Sequence, residues 1–552
     1  MICNQMHYIG RKIKNCSEHP NERKQSRVGF AAPKAWLAVA VVLVTLPVHA
    51  TVYYVDVAQG RDSNNGTSTS LAWAHLPGSV GFTGSGWAAL QNGDMVLVKG
   101  GSINSVRVEF TPTYYQGSKA FDSIVIRSGH LHSTPWGTGR AVIDGGNSRT
   151  AGVAFSGAIT GPLWGVTFDG FELRNIAAGA AGPGYDDQTG SSCILAGSAN
   201  YPAHFLTIKR CYLHDAARTV DNTGHGIEFS GYSTNFIIAL NQIGPNIGTK
   251  GCETYKASFG VVSSNFFNGS GDHSLALSDS THVDACNNLI YYIPPQVHEP
   301  AYGIQIATCS YCDVWNNVVY RPTPVSTTAG YDWSMGIGCY AGGTGNRIVN
   351  NTVAFFGNYS SGNGSTAMRV LDAGSTDQGL ILQNNLVYNC FNVEGASYTV
   401  WTGYASGEKV TYNCFYSTLA TTVMSYQVTA GGTSYPATVA NFALNTATGR
   451  TYANNVQLDP LLTGGSLPTA MDANYRPNSA YFKPTTTASP LILATHNPLY
   501  GDAVHGYSSA PGKFGTDIVG VSRSAWSMGA YEVGGVQSPT APTGLHIVQT
   551  GP

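Results

Sequence analysis

Three successive stretches of the chain can be laid over one another almost without gaps: CETYKASFGVVSSNFF from Cys252, SLALSDSTHVDACNNLI from Ser274 and GIQIATCSYCDVWNNVV from Gly303. Each opens on a short alternating run, turns through a polar corner, rises through a second apolar run and ends on an Asn followed by an apolar pair. With that Asn as marker the series runs Asn241, Asn265, Asn288, Asn317, Asn351, Asn385 and Asn413, with Cys211 and Phe171 in the same slot upstream. Its steps are 24, 23, 29, 34, 34 and 28 residues. A repeat of this kind fixes the architecture before any local structure is assigned. The short steps fit a coil of three short strands and three corners, and the long ones fit loops inserted at one corner. Helical repeats would need long amphipathic runs, and none stands between Thr51 and Gly535. The expectation is an all-β solenoid of roughly nine or more coils.

Stacked coils lie about 4.8 Å apart, so equivalent positions form ladders along the long axis. A buried Asn at a corner can satisfy backbone groups of the coils on both sides with the two ends of its amide. The Asn series is therefore read as structural. Charged residues make up only 11% of the chain and hydrophobic ones 43%, with 66 Gly, a balance that suits a turn-rich all-β protein.

The first fifty residues stand apart. Scattered Lys and Arg precede the apolar run AWLAVAVVLVTLPV from Ala35, which ends in VHA before Thr51. The run is short for a membrane span, so residues 1–50 are expected to be a secretory leader cleaved after Ala50, giving a secreted, periplasmic or surface protein. The rest carries 22 Lys+Arg against 29 Asp+Glu, with no basic cluster, which argues against a nucleic-acid partner. Nine of the 11 Cys remain in it. The odd count implies at least one free thiol, and Cys309 and Cys312 are expected to be either a local disulfide or stacked core thiols rather than a zinc pair.

The segment YYVD at Tyr53, the turn from Gly60 to Gly66, AW at Ala72 and the strand from Gly93 to Gly101 resemble the opening of secreted bacterial right-handed parallel β-helix proteins of the pectin-lyase-like superfamily. VQLDPLL at Val456, SPLI at Ser489 and TDIVGVSRSAWSMGAYE ending at Glu532 resemble their closing pattern. The resemblance implies one β-helix domain over 51–535: an N-terminal strand, cap and first coils over 51–143, regular coils over 144–419, and C-terminal coils with an irregular cap over 420–535. Residues 536–552 read as a Pro/Thr-rich linker leading into what could be the first strand of a further, truncated β-domain. Asp62, Asn64 and Gly66 suit a tight surface turn better than a calcium loop.

Alternation within the strands places Cys252 and Thr254, Leu275 and Leu277, Ile304 and Ile306 inside. Glu253, Tyr255, Ala276, Ser278, Gln305 and Ala307 then face outward, with Glu228 in line with Glu253 and with Lys256, Asp279 and Thr308 at the following corner. Glu228, Glu253, Tyr255, Lys256, His273, Asp279 and Gln305 are thus expected to share one patch. Two carboxylates one coil apart invite a divalent cation, so Glu228, Glu253 and Asp279 are candidate calcium ligands as well as substrate-binding groups with Gln305. Lys256, with His273 and Tyr255, is the candidate catalytic set, Lys256 shifted toward neutrality to act as a base. These parts suit β-elimination of an acidic, uronate-containing polysaccharide lying along the coils. The structural alternative is a Lys256–Asp279 ladder ion pair and a solvated pair of glutamates.

The same segment resembles the chondroitinase B and alginate lyase family: Lys256 stands nine residues before Asn265, and Leu275 and Leu277 match that family's paired leucines. It departs from the pattern at Ser278, where the family has Arg, and at Ala257 and Gly260. NTGHGIEF from Asn222 and the pair Asp186 and Asp187 resemble polygalacturonase motifs, but the remaining acidic and basic motifs have no counterpart; Gly224 and Gly226 are expected to shape a corner around His225. The alternatives to a lyase are a glycoside hydrolase on the same fold, using Glu228, Glu253 or Asp279, and a non-catalytic glycan-binding surface protein. The default oligomeric state is a monomer.

Overall fold

The computed structural model describes residues 50–84, 87, 89–155, 162–176, 192–198, 200–216, 224–291, 301–321, 334–340, 343–358, 366–370, 379–392, 400–402, 408–418, 424–427, 434–437, 451–486, 489–491, 517–519, 521 and 527–532. The unit Met1–Val48, which holds nearly all of the expected leader, lies outside them, as do 536–552 and Asp186 and Asp187. No helix among the described residues is long and apolar enough to cross a membrane.

Three long sheets of 12, 13 and 11 strands form the walls, parallel except for one antiparallel pair at the end of the first. A coil gives one strand to each in turn: His225–Phe229 to the 12-stranded sheet, Thr234–Ala239 to the 13-stranded, Gln242–Ile243 to the 11-stranded, and then Lys250–Tyr255 to the first again. The N-terminal strand Val52–Val55 pairs in parallel with Met95–Val98 and so begins the 13-stranded sheet. Inside, like stacks on like: Ile227, Cys252, Leu275, Ile304 and Ile337 follow one another in register on one wall, and Ile238, Val262, Ala285, Val314 and Ile348 on another. Each coil therefore buries its apolar side chains against copies of the same position.

The Asn series does what its chemistry predicts. Asn265 Oδ1 accepts from the backbone N–H and the side-chain amide of Asn241, both at 3.0 Å. The same double acceptance links Asn288, Asn317, Asn351, Asn385, Asn413 and a further rung, Asn455. Each amide nitrogen also donates to a carbonyl in the preceding coil, as Asn317 Nδ2 does to Ala285 O at 2.9 Å. The residue before each rung turns the corner with positive φ, which explains the recurring Asn–Asn pairs: Asn287, Asn316, Asn350 and Asn384 have φ of 55–57°, a region Asn tolerates better than most residues.

All nine cysteines from Cys193 to Cys414 are buried free thiols, so Cys309 and Cys312 take the core-thiol alternative and form no disulfide. Gly66 at φ 73° closes a surface turn over Trp73, and a Cβ there would lie 2.5 Å from the indole. Asp62 is spent on the backbone N–H groups of Ala74 and His75, the role of a turn residue.

The C-terminal segment does more than close the end of the solenoid. Phe482, Ile518, Ala530 and Tyr531 pack on Phe266, Leu289, Val318, Tyr320 and Ala354, the apolar outer positions of the 11-stranded sheet. Ala530 N–H donates to Thr352 Oγ1 at 3.0 Å. An outer row this apolar needs a cover, and the returning chain supplies it.

Candidate functional site

One departure from strict alternation builds the site. In the 12-stranded sheet the positions of Cys193, Gly226, Gly251, Ser274, Gly303 and Gly336 hold only small residues. A Cβ on Gly226 would lie 2.7 Å from Ile243, one on Gly251 2.9 Å from Phe267, and one on Gly303 2.4 Å from Val319. Side chains of the 11-stranded sheet fill this space, so the small position and its successor both face the interior. The residue just before the small position then turns outward, three residues ahead of the next outward one. His225 and Glu228 consequently share a face, as do Lys250 and Glu253. Gly226 thus lies inside a strand and spares room for a core side chain; it does not shape a corner.

Two outward rows result. One runs Ser192, His225, Lys250, His273 and Tyr302; the other runs Leu195, Glu228, Glu253, Ala276 and Gln305. Ser192 Oγ donates to Glu228 Oε2 at 2.9 Å, and His225 Nδ1 lies 3.4 Å from the same oxygen. Lys250 Nζ donates to Glu253 Oε1 at 2.7 Å, and Ser278 Oγ donates to it at 3.3 Å. His273 Nδ1 is 2.7 Å from Asp272 Oδ1 without hydrogen-bond alignment, and its ring lies 5.0 Å from that of Tyr302.

The strip is not a solvated face. Glu228 is 5% exposed, Glu253 3% and His273 5%. Burial by itself would raise the Glu253 carboxyl, but the Lys250 ammonium, His225 and His273 together outweigh it and hold the pKa below the ordinary glutamate value. Glu253 Oε2, His225 Nδ1 and His273 Nδ1 are nevertheless buried without a hydrogen-bond partner. A fold gains nothing from leaving such atoms unpaired, so their clustering marks the strip as a site.

Of the residues expected to gather, Glu228, Glu253, His273 and Gln305 do. Tyr255 stands at the strand end, in register with Ser278. Lys256 and Asp279 lie beyond it on the corner, with φ of 52° and 49°, and no ion pair joins them. The Lys256 pKa is raised rather than lowered: the Tyr255 side chain accepts a hydrogen bond from its ammonium, which also lies 4.8 Å over the Tyr255 ring. On an open corner the interaction with Tyr255 outweighs the slight desolvation of Lys256, so the expected base is not prepared there. Nor do Glu228, Glu253 and Asp279 form a ligand set, since among the described residues no three His, Cys, Asp or Glu groups converge as a metal cluster. Asp279 points from the corner, and Glu253 Oε1 is committed to Lys250.

The sequence reading missed Ser192, His225, Lys250, Asp272 and Tyr302. Their signal was the column of small residues following them, legible only once the inward small position is recognised. It also missed a second ionic group on the 11-stranded sheet, where Arg174 bonds Asp144 and Glu172, each at 2.9 Å, and His214 Nδ1 lies 2.6 Å from Asp215 Oδ2. The carboxylates there are paired within the group and its side chains are 13–38% exposed, as in a structural network, although His214 Nε2 is buried without a hydrogen-bond partner.

Residues 164–353 match the family model described as right handed beta helix region. No curated protein matches the chain. Among solved structures it is similar to pectate lyase Pel9A, at 15% identity over 87% of this chain and 96% of that one, with a TM-score of 0.46. It is similar also to the GH136 lacto-N-biosidase from Eubacterium ramulus, at 13% identity, 61% and 64% coverage and a TM-score of 0.38. A rhamnogalacturonan lyase matches at 15% identity, 66% and 87% coverage and a TM-score of 0.36. Likenesses this loose carry nothing about activity, and the assignment rests on the repeat, the sheet register and the family match. By these the chain folds as a right-handed parallel β-helix.

Proposed function

We propose that the chain is an exported polysaccharide-cleaving enzyme whose reaction centre is the strip around Glu228 and Glu253. One observation carries the reading: two buried glutamates in register on adjacent strands have unlike surroundings, Glu253 held ionised by Lys250 and Glu228 facing only a hydroxyl and an imidazole. Adjacent strands stand about 4.8 Å apart, close to the separation of roughly 5–5.5 Å that retaining glycosidases use. In this reading Glu253 stabilises or attacks the developing cationic carbon. Glu228 delivers the proton to the leaving oxygen and recovers one from water, with His225 alongside.

β-Elimination of a uronate polymer is the second reading, favoured by the unpartnered Nδ1 atoms of His225 and His273, which replace Lys256 as base candidates, and by Lys250, a cation for the uronate carboxylate.

The test incubates the chain lacking residues 1–50 with neutral and uronate polysaccharides, with calcium or chelator, and follows both reducing ends and the ultraviolet absorbance of unsaturated uronate. We expect reducing ends without that absorbance, a loss of at least about a hundredfold in Glu253→Gln, and retained activity in Lys256→Ala. Absorbance that vanishes in His273→Ala would establish elimination instead. Neither signal from any polymer would end the enzymatic reading.

A further inference from the structure

The corner joining the 12-stranded to the 13-stranded sheet carries a row of rings that the buried strip does not use. Trp164 and His204 are in register and stacked at 4.5 Å, and Phe259, His282 and Tyr311 stack in succession at 4.9 and 5.2 Å. The two stacks lie along the long axis on either side of the coil that carries Asn235, with one ring per coil within each stack. Among the described residues the large aromatic side chains most exposed are Tyr201 at 40%, Tyr232 at 60% and Phe259 at 50%, and all three belong to this corner.

Folding does not call for them. Tyr232 and Phe259 have φ of 60° and 54°, where a bulky side chain costs roughly 1–2 kcal/mol relative to Gly. Asn235, at the equivalent corner position one coil before Phe259, shows that a small polar residue serves the turn. Exposure and backbone strain thus both work against aromatic residues here, and both are tolerated at neighbouring coils.

Two ammonium groups and one carboxylate stand at the corner, Asp279 following Lys256 by one coil. Lys119 lies 4.8 Å over the Trp164 ring and Lys256 the same distance over Tyr255, and among the described residues neither ammonium has a carboxylate within ion-pair distance. Burial, with Lys119 nearby, lowers the His204 pKa, so that ring stacks as a neutral imidazole at pH 7. Two stacks of rings, each repeating at the rise of one coil and flanked by an ammonium group, offer apolar faces to sugar rings and cations to their acidic substituents.

We propose that this corner is a docking rail for an extended anionic glycan strand, holding the polymer along the coils outside the cleavage strip. The choice of a glycan rests on the polysaccharide reading above, whereas the rail's location and charge do not. The ammonium groups select carboxylate- or sulfate-bearing chains over neutral ones, and the rings supply the sequence of contacts that keeps a long strand in place.

The test is affinity electrophoresis of the chain lacking residues 1–50 through gels containing polygalacturonate, chondroitin sulfate or fully methyl-esterified pectin. The expected result is retardation by the two anionic polymers, weakened by salt and absent with the esterified one. Phe259→Ala and Lys256→Ala should each weaken it several-fold, and the double variant about tenfold or more, with an unchanged thermal midpoint because both side chains lie at the surface. Equal retardation of the double variant, or of the wild type by the esterified polymer, would overturn the rail. Retardation without cleavage of any polymer would defeat the enzymatic reading and leave the rail standing; cleavage with rail-independent retardation would defeat the rail alone.

Discussion

Replacing Asn317 by Ala tests whether the ladder holds the solenoid together. Asn317 is fully buried. Its Oδ1 accepts from Asn288 N–H at 3.0 Å and from Asn288 Nδ2 at 2.9 Å, while its Nδ2 donates to Ala285 O and to Asn351 Oδ1, both at 2.9 Å. The substitution leaves two backbone groups, Asn288 N–H and Ala285 C=O, buried without those partners. Each orphan costs about 1–3 kcal/mol and each of the two lost amide–amide bonds about 1 more, so the expected loss is about 6 kcal/mol. Asn351 Oδ1 keeps the Asn317 backbone N–H, so the damage stays within two coils. The same change at Asn455, the last rung and only part-buried, orphans Asn413 N–H and Val410 O where water reaches them, and should cost about 1–2 kcal/mol. Urea titration followed by circular dichroism measures both. A loss under about 1 kcal/mol at Asn317, or equal losses at the two rungs, would refute the claim that buried backbone satisfaction is what the Asn series supplies.

Two further outcomes follow from charge and burial. Lys250→Met leaves the buried Glu253 carboxylate without its main partner, costing about 3 kcal/mol near neutral pH. The folded-state Glu253 pKa is depressed, so the stabilisation is complete above the unfolded glutamate value and fades as pH falls through the folded one; the gap in thermal midpoint between wild type and variant should therefore narrow below about pH 4, and a pH-independent gap would contradict the assignment. In the chain lacking residues 1–50, burial raises the Cys211, Cys390 and Cys414 thiols to about 12, and no Cys should react with a thiol reagent in the native state. Nine should react after denaturation without reductant, and seven would reveal a disulfide such as Cys309–Cys312.

The fold was legible because a ladder repeats its own chemistry. Asn241 to Asn413 could be aligned by eye, and the paired Asn before each apolar doublet marks both the left-handed corner and the buried rung. The carboxylate row was legible for the same reason: Glu228 and Glu253 follow from Ile227 and Cys252 facing inward. Strict alternation failed one residue away. It assigns Gly251 to the outer face and Lys250 to the interior, the reverse of what Phe267, pressing into the space above Gly251, imposes. Lys256 looked like a base because the segment around it resembles a lyase motif, but a base needs desolvation, and a corner residue beside one ring has little. Packing across the solenoid decided both cases, and a single coil's sequence does not contain it.

The position of the strip along the axis is itself informative. Glu253 Oε2, His225 Nδ1 and His273 Nδ1 are buried without partners, a burden of about 1–3 kcal/mol apiece. A fold of nearest-neighbour coils passes such a burden only to the coils beside it. The three coils concerned are those whose corners carry Asn241, Asn265 and Asn288, joined by an unbroken run of doubled amide bonds. Their inner positions are filled by Ile227, Cys252 and Leu275, all fully buried. At an end coil, which has a neighbour on one side only, the same unsatisfied atoms would favour fraying. In the interior of the stack the ladder and the core hold the strands in register while the outer face keeps groups that folding alone would have paired or removed. Stability and reactivity are thus separated by the two faces of one sheet, and the solenoid can bear a preorganised polar site because its repeats are redundant everywhere else.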